Sequence, residues 1–283
     1  MSTGIQWTDE TWNPVVGCTK VSQGCKNCYA KTVHDNRHKA LLDGKKMPEQ
    51  YREPFETVQL MPDRLPKPLS WKKPRKVFVN SVSDLFHEDV PFPFIAAVFG
   101  VMAYCNHHTF QVLTKRPERM REFMEWVDAP EQAMTFRELY GEKAGQQVTH
   151  LRQDAIDETM FGQFCDWTEA KGNTVYLDAC LYNDGVWPLP NVWLGTSVED
   201  QAAADTRIPE LLATPAAVRF LSCEPLLSQL DLEAYLPKLD WLITGGESGA
   251  KARPCDVVWI RNLISDCAVH DVPIFVKFPE VRS

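Results

Sequence analysis

Three cysteines stand within eleven residues near the N-terminus: Cys18, Cys25 and Cys28, in the run G-C-T-K-V-S-Q-G-C-K-N-C-Y-A. Three thiolates within reach of one point can hold an iron–sulfur cluster and leave one iron without a protein ligand, where a small molecule can bind and be reduced. A structural zinc site normally draws a fourth ligand from close by. His34 and His38, four residues apart, are the right type to complete a Cys3His set. Gly17 and Gly24 each precede a cysteine, which lets the backbone turn tightly enough for the thiolates to converge. The stretch from Lys31 to Leu42 predicts a helix, so Cys28 falls near a helix N-terminus, where the dipole favours a thiolate and an anionic cluster. The residues alone leave three readings open: an iron–sulfur centre, a zinc site, or three thiols without metal.

Something must position such a loop. Past the cysteines, short β-branched and aromatic runs recur at Val77–Asn80, Thr109–Leu113, Asn191–Gly195, Val218–Ser222, Trp241–Thr244 and Pro273–Lys277. Near-continuous apolar runs of this length suit strands covered on both faces. Pro117–Val127 and Val257–His270 between them show helical spacing, and Phe92–Cys105 predicts a buried helix. Strand–helix alternation implies right-handed βαβ units, hence an α/β fold: a partial or full (β/α) TIM-like barrel of parallel strands, with 1–283 as one domain. A further strand near Thr11–Val16 leads into the cysteine loop. Residues 129–187 break the rhythm with ten Asp/Glu against four Lys/Arg, and predict a helical insertion that lids the mouth, binds a partner or decorates the periphery.

Each apolar run ends in polar residues, and in a parallel barrel all those ends open on one substrate-binding face. On chemistry alone, Glu199, Glu224 and Glu247 suit an ammonium group, while Asn80, Ser81, Ser83 and Ser197 suit a ribose or carboxylate. Asp84 belongs to the same set of strand ends, and Lys115, Arg116 and Lys277 suit a carboxylate or phosphate. A cap or a structural ion pair is the competing use of every one of them.

The bulk composition narrows the setting. A formal charge of −8 argues against broad attachment to duplex DNA or to an anionic membrane. The basic stretch Lys67, Lys72, Lys73, Arg75 and Lys76 reads as a solvated approach to the next strand. The N-terminus carries no charged-then-apolar signal pattern, and no apolar run reaches the roughly 20 residues of a membrane span. Nine cysteines, six of them scattered singly, argue against a secreted disulfide framework and for a reducing, cytoplasmic setting.

The cysteine run, followed by repeated βα units ending in polar residues, resembles the radical S-adenosylmethionine superfamily. More narrowly, with Trp7-Thr8, Thr11-Trp-Asn-Pro14, Asn80-Ser-Val-Ser-Asp-Leu-Phe86, Leu113-Thr-Lys-Arg-Pro117, Val192-Trp-Leu-Gly-Thr-Ser-Val-Glu-Asp200, Ser222-Cys-Glu-Pro225 and Gly245-Gly-Glu-Ser-Gly249, it is similar to a radical-SAM-like family of phages and bacterial mobile elements known by its three-cysteine motif. The Cys-x-x-Cys-Tyr-Ala end is similar to the spore photoproduct lyase branch. The resemblance implies that Cys18, Cys25 and Cys28 ligate a [4Fe–4S] cluster whose fourth iron binds S-adenosylmethionine. It also implies an electron donor and a radical reaction on a substrate such as a nucleobase or nucleic acid. Two departures stand out: six residues rather than three separate the first two cysteines, and the Gly-Gly-Glu lies late in the chain. The alternative is a zinc-braced or iron–sulfur protein that binds a protein partner, carries electrons or senses redox state, without radical catalysis.

Overall fold

The computed structural model describes residues 3–127, 187–249 and 251–277. Its centre is a seven-stranded sheet of β1 (Glu10–Trp12), β4 (Lys76–Val79), β5 (Thr109–Thr114), β6 (Val192–Ser197), β7 (Val218–Cys223), β8 (Trp241–Thr244) and β9 (Ile274–Val276), hydrogen-bonded in that order. Every neighbouring pair is parallel. The expected Thr11–Val16 strand divides in two. Pro14, which has no N–H to give a ladder, ends the first part, and β2 (Val15–Val16) pairs antiparallel with β3 (Gln59–Leu60) in a separate two-stranded sheet.

The sheet curls into a half-barrel, and one indole shows by how much. Trp7 lies 4.6 Å from the Phe78 ring of β4 and 6.0 Å from the Trp241 ring of β8, so those two rings are at most about 11 Å apart. In a flat sheet, four strand spacings separate β4 from β8, about 19 Å. Trp193 of β6 and Phe220 of β7 also pack on Trp241, at 5.7 and 5.4 Å. The concave face at the N-terminal ends of the strands is therefore lined by aromatic rings from several strands. The half-barrel is open among the described residues, with β1 and β9 at its edges.

Helices cover the convex face. α2 (Phe92–Tyr104) buries ten residues, with Pro93 in its first turn, where a missing N–H costs nothing. α3 (Pro117–Val127) buries Pro117, Met120, Phe123, Met124 and Val127, the i, i+3, i+4 stripe of an amphipathic helix. α4 (Gln201–Ala213) starts at Asp200, whose carboxylate accepts the Ala203 N–H at 2.9 Å, and α5 (Val257–Val269) starts at Asp256, which accepts the Val258 N–H at 2.8 Å. α1 (Tyr29–Leu42) precedes the barrel proper and begins with Cys28 in the capping position.

The 129–187 insertion lies outside the described residues except for Trp187. The flanks are clear: α3 runs back from the C-terminal end of β5, and Trp187 resumes five residues before β6, against Phe99 of α2. Both flanks therefore adjoin the N-terminal ends of the strands. No helix among the described residues is long and apolar enough to cross a membrane.

Because Trp7 links β4 to β8 across the concave face, Trp7→Ala is expected to lower stability by about 3 kcal/mol. Urea unfolding followed by far-UV circular dichroism measures this as a fall in the midpoint.

Candidate metal centre at the strand C-termini

Residues 17–29 lie across the mouth formed by the C-terminal ends of the strands. Gly17 pairs with Ser83, just past β4, in an isolated parallel bridge, and the Cys18 N–H donates to Phe55 O at 3.0 Å. Gly17 adopts φ +90°, and a Cβ there would fall 2.3 Å from Thr57 O, so only glycine makes this turn. The chain then forms a short 3-10 turn, Gln23–Cys25, and enters α1 at Cys28. All three cysteines are half-buried free thiols.

A carboxylate–guanidinium pair bonds Cys18 itself, and two others bond Gly24 and Asn27, the residues just before Cys25 and Cys28. Beside Cys18, Asp84 and Arg116 meet at 3.3 Å, with side chains only 8% and 9% exposed. Asp84 also accepts from Thr114 Oγ1 at 2.7 Å and from the backbone N–H groups of Phe86 and Lys115 at 3.0 and 3.1 Å. Arg116 donates from Nη1 to Cys18 Sγ at 3.7 Å, and from Nη2 to the carbonyl and hydroxyl of Thr19 at 3.3 and 2.9 Å. Burial first, and then the charge of Asp84, push the Cys18 thiol up to about 11 against the pull of Arg116.

Beside Cys25, Glu199 is 1% exposed and takes Arg207 Nη1 at 2.9 Å and Nη2 at 3.4 Å. Its Oε1 accepts the Gly24 N–H at 3.4 Å, and a Cβ on Gly24 would meet the Glu199 carboxyl carbon at 2.9 Å. Gly24 thus serves close approach to Glu199, where the sequence suggested a tight turn. Burial pushes the Glu199 carboxyl up, but the Ser22 hydroxyl and Arg207 outweigh it, so the group stays below its ordinary range. Beside Cys28, Glu247 binds Arg253 at 2.9 and 2.6 Å and accepts from Asn27 Nδ2 at 2.9 Å. Arg253 Nη1 reaches back to Gln23 O at 3.0 Å, and Asn27 Nδ2 also donates to Lys251 O at 2.8 Å. Arg253 holds the Glu247 carboxyl down to about 2, ahead of the opposing effect of burial.

The chain matches, over residues 2–279, the family described as Protein of unknown function (DUF5131). It belongs to that family. No curated protein and no solved structure matches this DUF5131 chain.

The other strand-end residues divide by partner. Ser81 donates to Asn13 Oδ1 at 3.1 Å and accepts the Tyr29 hydroxyl on its carbonyl, while Ser83 donates to Val15 O at 2.7 Å. Asn80 takes φ +60° and accepts the Val15 N–H, and its buried Nδ2 has no hydrogen-bond partner among the described residues. Glu224 pairs with Lys277, which also donates to Ser248 Oγ at 2.9 Å. Ser197 and Ser222 are register partners, both buried. Lys115 is half-buried within electrostatic reach of Glu199, and no ion pair to its ammonium occurs among the described residues. The carboxylates expected to meet an ammonium instead bind Arg207, Arg253 and Lys277; the first two of these went unnoticed in the sequence.

Arg207 lies eight residues past Glu199 and Arg253 six past Glu247, an acid–base proximity that was readable but unspecific. In the basic stretch Lys67, Lys72, Lys73 and Lys76 are exposed, while Lys67 Nζ and the Arg75 guanidinium lie 5.4 and 5.7 Å from the Trp71 ring and Arg75 pairs with Glu10. Of the scattered cysteines, Cys105, Cys223 and Cys267 are buried and Cys255 is half-buried, while Cys165 and Cys180 lie outside the described residues. A cavity of about 670 Å³ lies at the opposite end of the half-barrel, lined by Trp7, Trp193 and Trp241 among others.

Among the described residues no three His, Cys, Asp or Glu side chains crowd together as ligands of a single metal ion do. A cluster spreads its thiolates over different irons, so it draws on a wider set than one ion. His34 is packed between Tyr51 and Phe55 and bonds Glu53 O, and His38 bonds Tyr51 O, so both imidazoles engage the 51–55 segment. The Arg116 guanidinium at Cys18 and the helix N-terminus at Cys28 are groups that favour an anion beside these thiols, while burial and Asp84 oppose one at Cys18.

Glu199→Gln leaves Arg207 buried without its counter-charge and is expected to cost about 3 kcal/mol in urea unfolding. Glu247 gives a pH signature. Its folded value of about 2 lies below its unfolded one, so the pair stabilises the fold above about pH 4.5 and the contribution fades as pH falls toward 2. Glu247→Gln should remove up to roughly 3 kcal/mol at neutral pH and flatten the stability profile across that acid window.

Proposed function

We propose that Cys18, Cys25 and Cys28 hold an iron–sulfur cluster at the mouth of the half-barrel and that the protein is a radical-SAM-type enzyme. The position of the loop carries this reading: three free thiols lie over the strand ends where a barrel binds its substrate, each beside its own carboxylate–guanidinium pair. When bound, a [4Fe–4S] cluster with one protein-free iron supplies a docking point for S-adenosylmethionine and the electron that cleaves its sulfonium reductively. The resemblance of the motif set to the radical-SAM-like phage family supports the same assignment.

The chain's own residues then take distinct roles. Arg116, Glu199 and Glu247 hold the loop in place. Lys115, which has no ion-pair partner among the described residues, is a cation at the mouth that suits a cosubstrate carboxylate or a nucleotide phosphate. Ser197 and Ser222, buried register partners, add two hydroxyls at the same strand ends. Net negative charge favours a small ligand or a single flipped base over a long duplex as substrate.

One observation favours a non-catalytic reading. Glu199, Glu224 and Glu247 are all neutralised by protein cations, as expected of a braced scaffold that binds a partner or carries electrons. Anaerobic reconstitution with iron and sulfide separates the two. The enzyme reading expects iron and sulfide to be retained, and 5′-deoxyadenosine to form with S-adenosylmethionine and dithionite. Cys25→Ala should abolish iron uptake, and Cys267→Ala should not. Stoichiometric zinc in place of iron and sulfide contradicts any cluster, while a cluster without cosubstrate cleavage leaves the electron-carrier role.

A further inference from the structure

We propose that Arg116 sets the electron affinity of the centre that Cys18 serves, a role that rests on the cluster reading above. The guanidinium donates to Cys18 Sγ at 3.7 Å from a site where its side chain is 9% exposed. A hydrogen bond and a fixed positive charge at a ligating sulfur stabilise the added negative charge of the reduced state, and so raise the reduction potential. The effect is larger where water does not screen it.

The surroundings fix the guanidinium at that sulfur. Asp84 holds Nη1 from the strand side at 3.3 Å, and Thr19 takes Nη2 on both its carbonyl and its hydroxyl. The Thr19 hydroxyl in turn lies 2.7 Å from His87 Nε2 on a buried imidazole. Glu88 binds Nε at 2.7 Å, but its side chain is 62% exposed and its charge is screened by water. Thr19 is the first residue of the six that separate Cys18 from Cys25. The long gap thus gives the chain room to turn Thr19 onto Arg116 before continuing to the second cysteine. The electron comes from an external low-potential one-electron donor, and no proton moves, because arginine stays protonated in both states. Arg116 acts through Cys18 and is a positioning and tuning residue.

The test is a dithionite titration of the anaerobically reconstituted protein followed by electron paramagnetic resonance. In Arg116→Gln the equilibrium constant for one-electron reduction is expected to fall tenfold or more, a drop of about 59 mV per tenfold. In Asp84→Asn, whose single amide oxygen can still accept from Thr114 and Phe86 while the charge facing Arg116 is removed, the midpoint is expected to rise. Opposite signs in the two variants are the electrostatic signature, which a loosened loop would not produce. An unchanged midpoint in Arg116→Gln, or shifts of the same sign in both, overturns the proposal. If Arg116→Gln takes up no cluster, Asp84→Asn alone decides, by a rise or by its absence. Failure of the parent protein itself to form a cluster overturns the reading beneath the proposal instead.

Discussion

Asp84, Glu199 and Glu247 each lie beyond the end of a strand with an arginine against them, and each pair touches the 17–29 loop beside a different cysteine. A buried carboxylate is costly unless its charge is met and its remaining lone pairs are filled. Arg116, Arg207 and Arg253 meet the charges. The remaining capacity goes to the Gly24 N–H and the Asn27 amide, while Arg116 and Arg253 extend their own donors to Thr19 and Gln23. The loop thereby gains fixed partners at three points along its length, on three different strand ends.

The two ends of the half-barrel consequently differ in chemistry. At the N-terminal ends of the strands, Trp7, Phe78, Trp193, Phe220 and Trp241 pack ring on ring and set the curvature. At the other end the facing residues become small and polar, Ser197 beside Ser222, with Lys115 and the Glu224–Lys277 pair around them. This is the usual division in parallel barrels: packing at one end, and ligand chemistry at the end where the strands point. The acidic insertion expected at 129–187 is flanked at the aromatic end by Val127 and Trp187, on the far side of the sheet from the cysteines.

Much of the scaffold was legible because buried parallel strands write themselves as unbroken apolar runs. Six such runs appear as strands β4 to β9, shifted by a residue or two, and Pro117–Val127 is a helix over the span its spacing indicated. The missed division at Pro14 came from reading an apolar stretch without its absent backbone donor. The site was legible by residue type but not by partner. Glu199 and Glu247 looked available for a ligand because nothing local announced Arg207 or Arg253, whose pairing depends on how a helix and a loop return to the mouth. Asp84 and Arg116, 32 residues apart, meet only because β4 and β5 are sheet neighbours.

The most direct test of a metal centre held by this loop is diffraction from anaerobically reconstituted crystals at the iron absorption edge. The account predicts anomalous scattering from several iron atoms at the mouth, bounded by the sulfur atoms of Cys18, Cys25 and Cys28. A single zinc closed off by His34 or His38, or iron bound away from the three sulfurs, would contradict it.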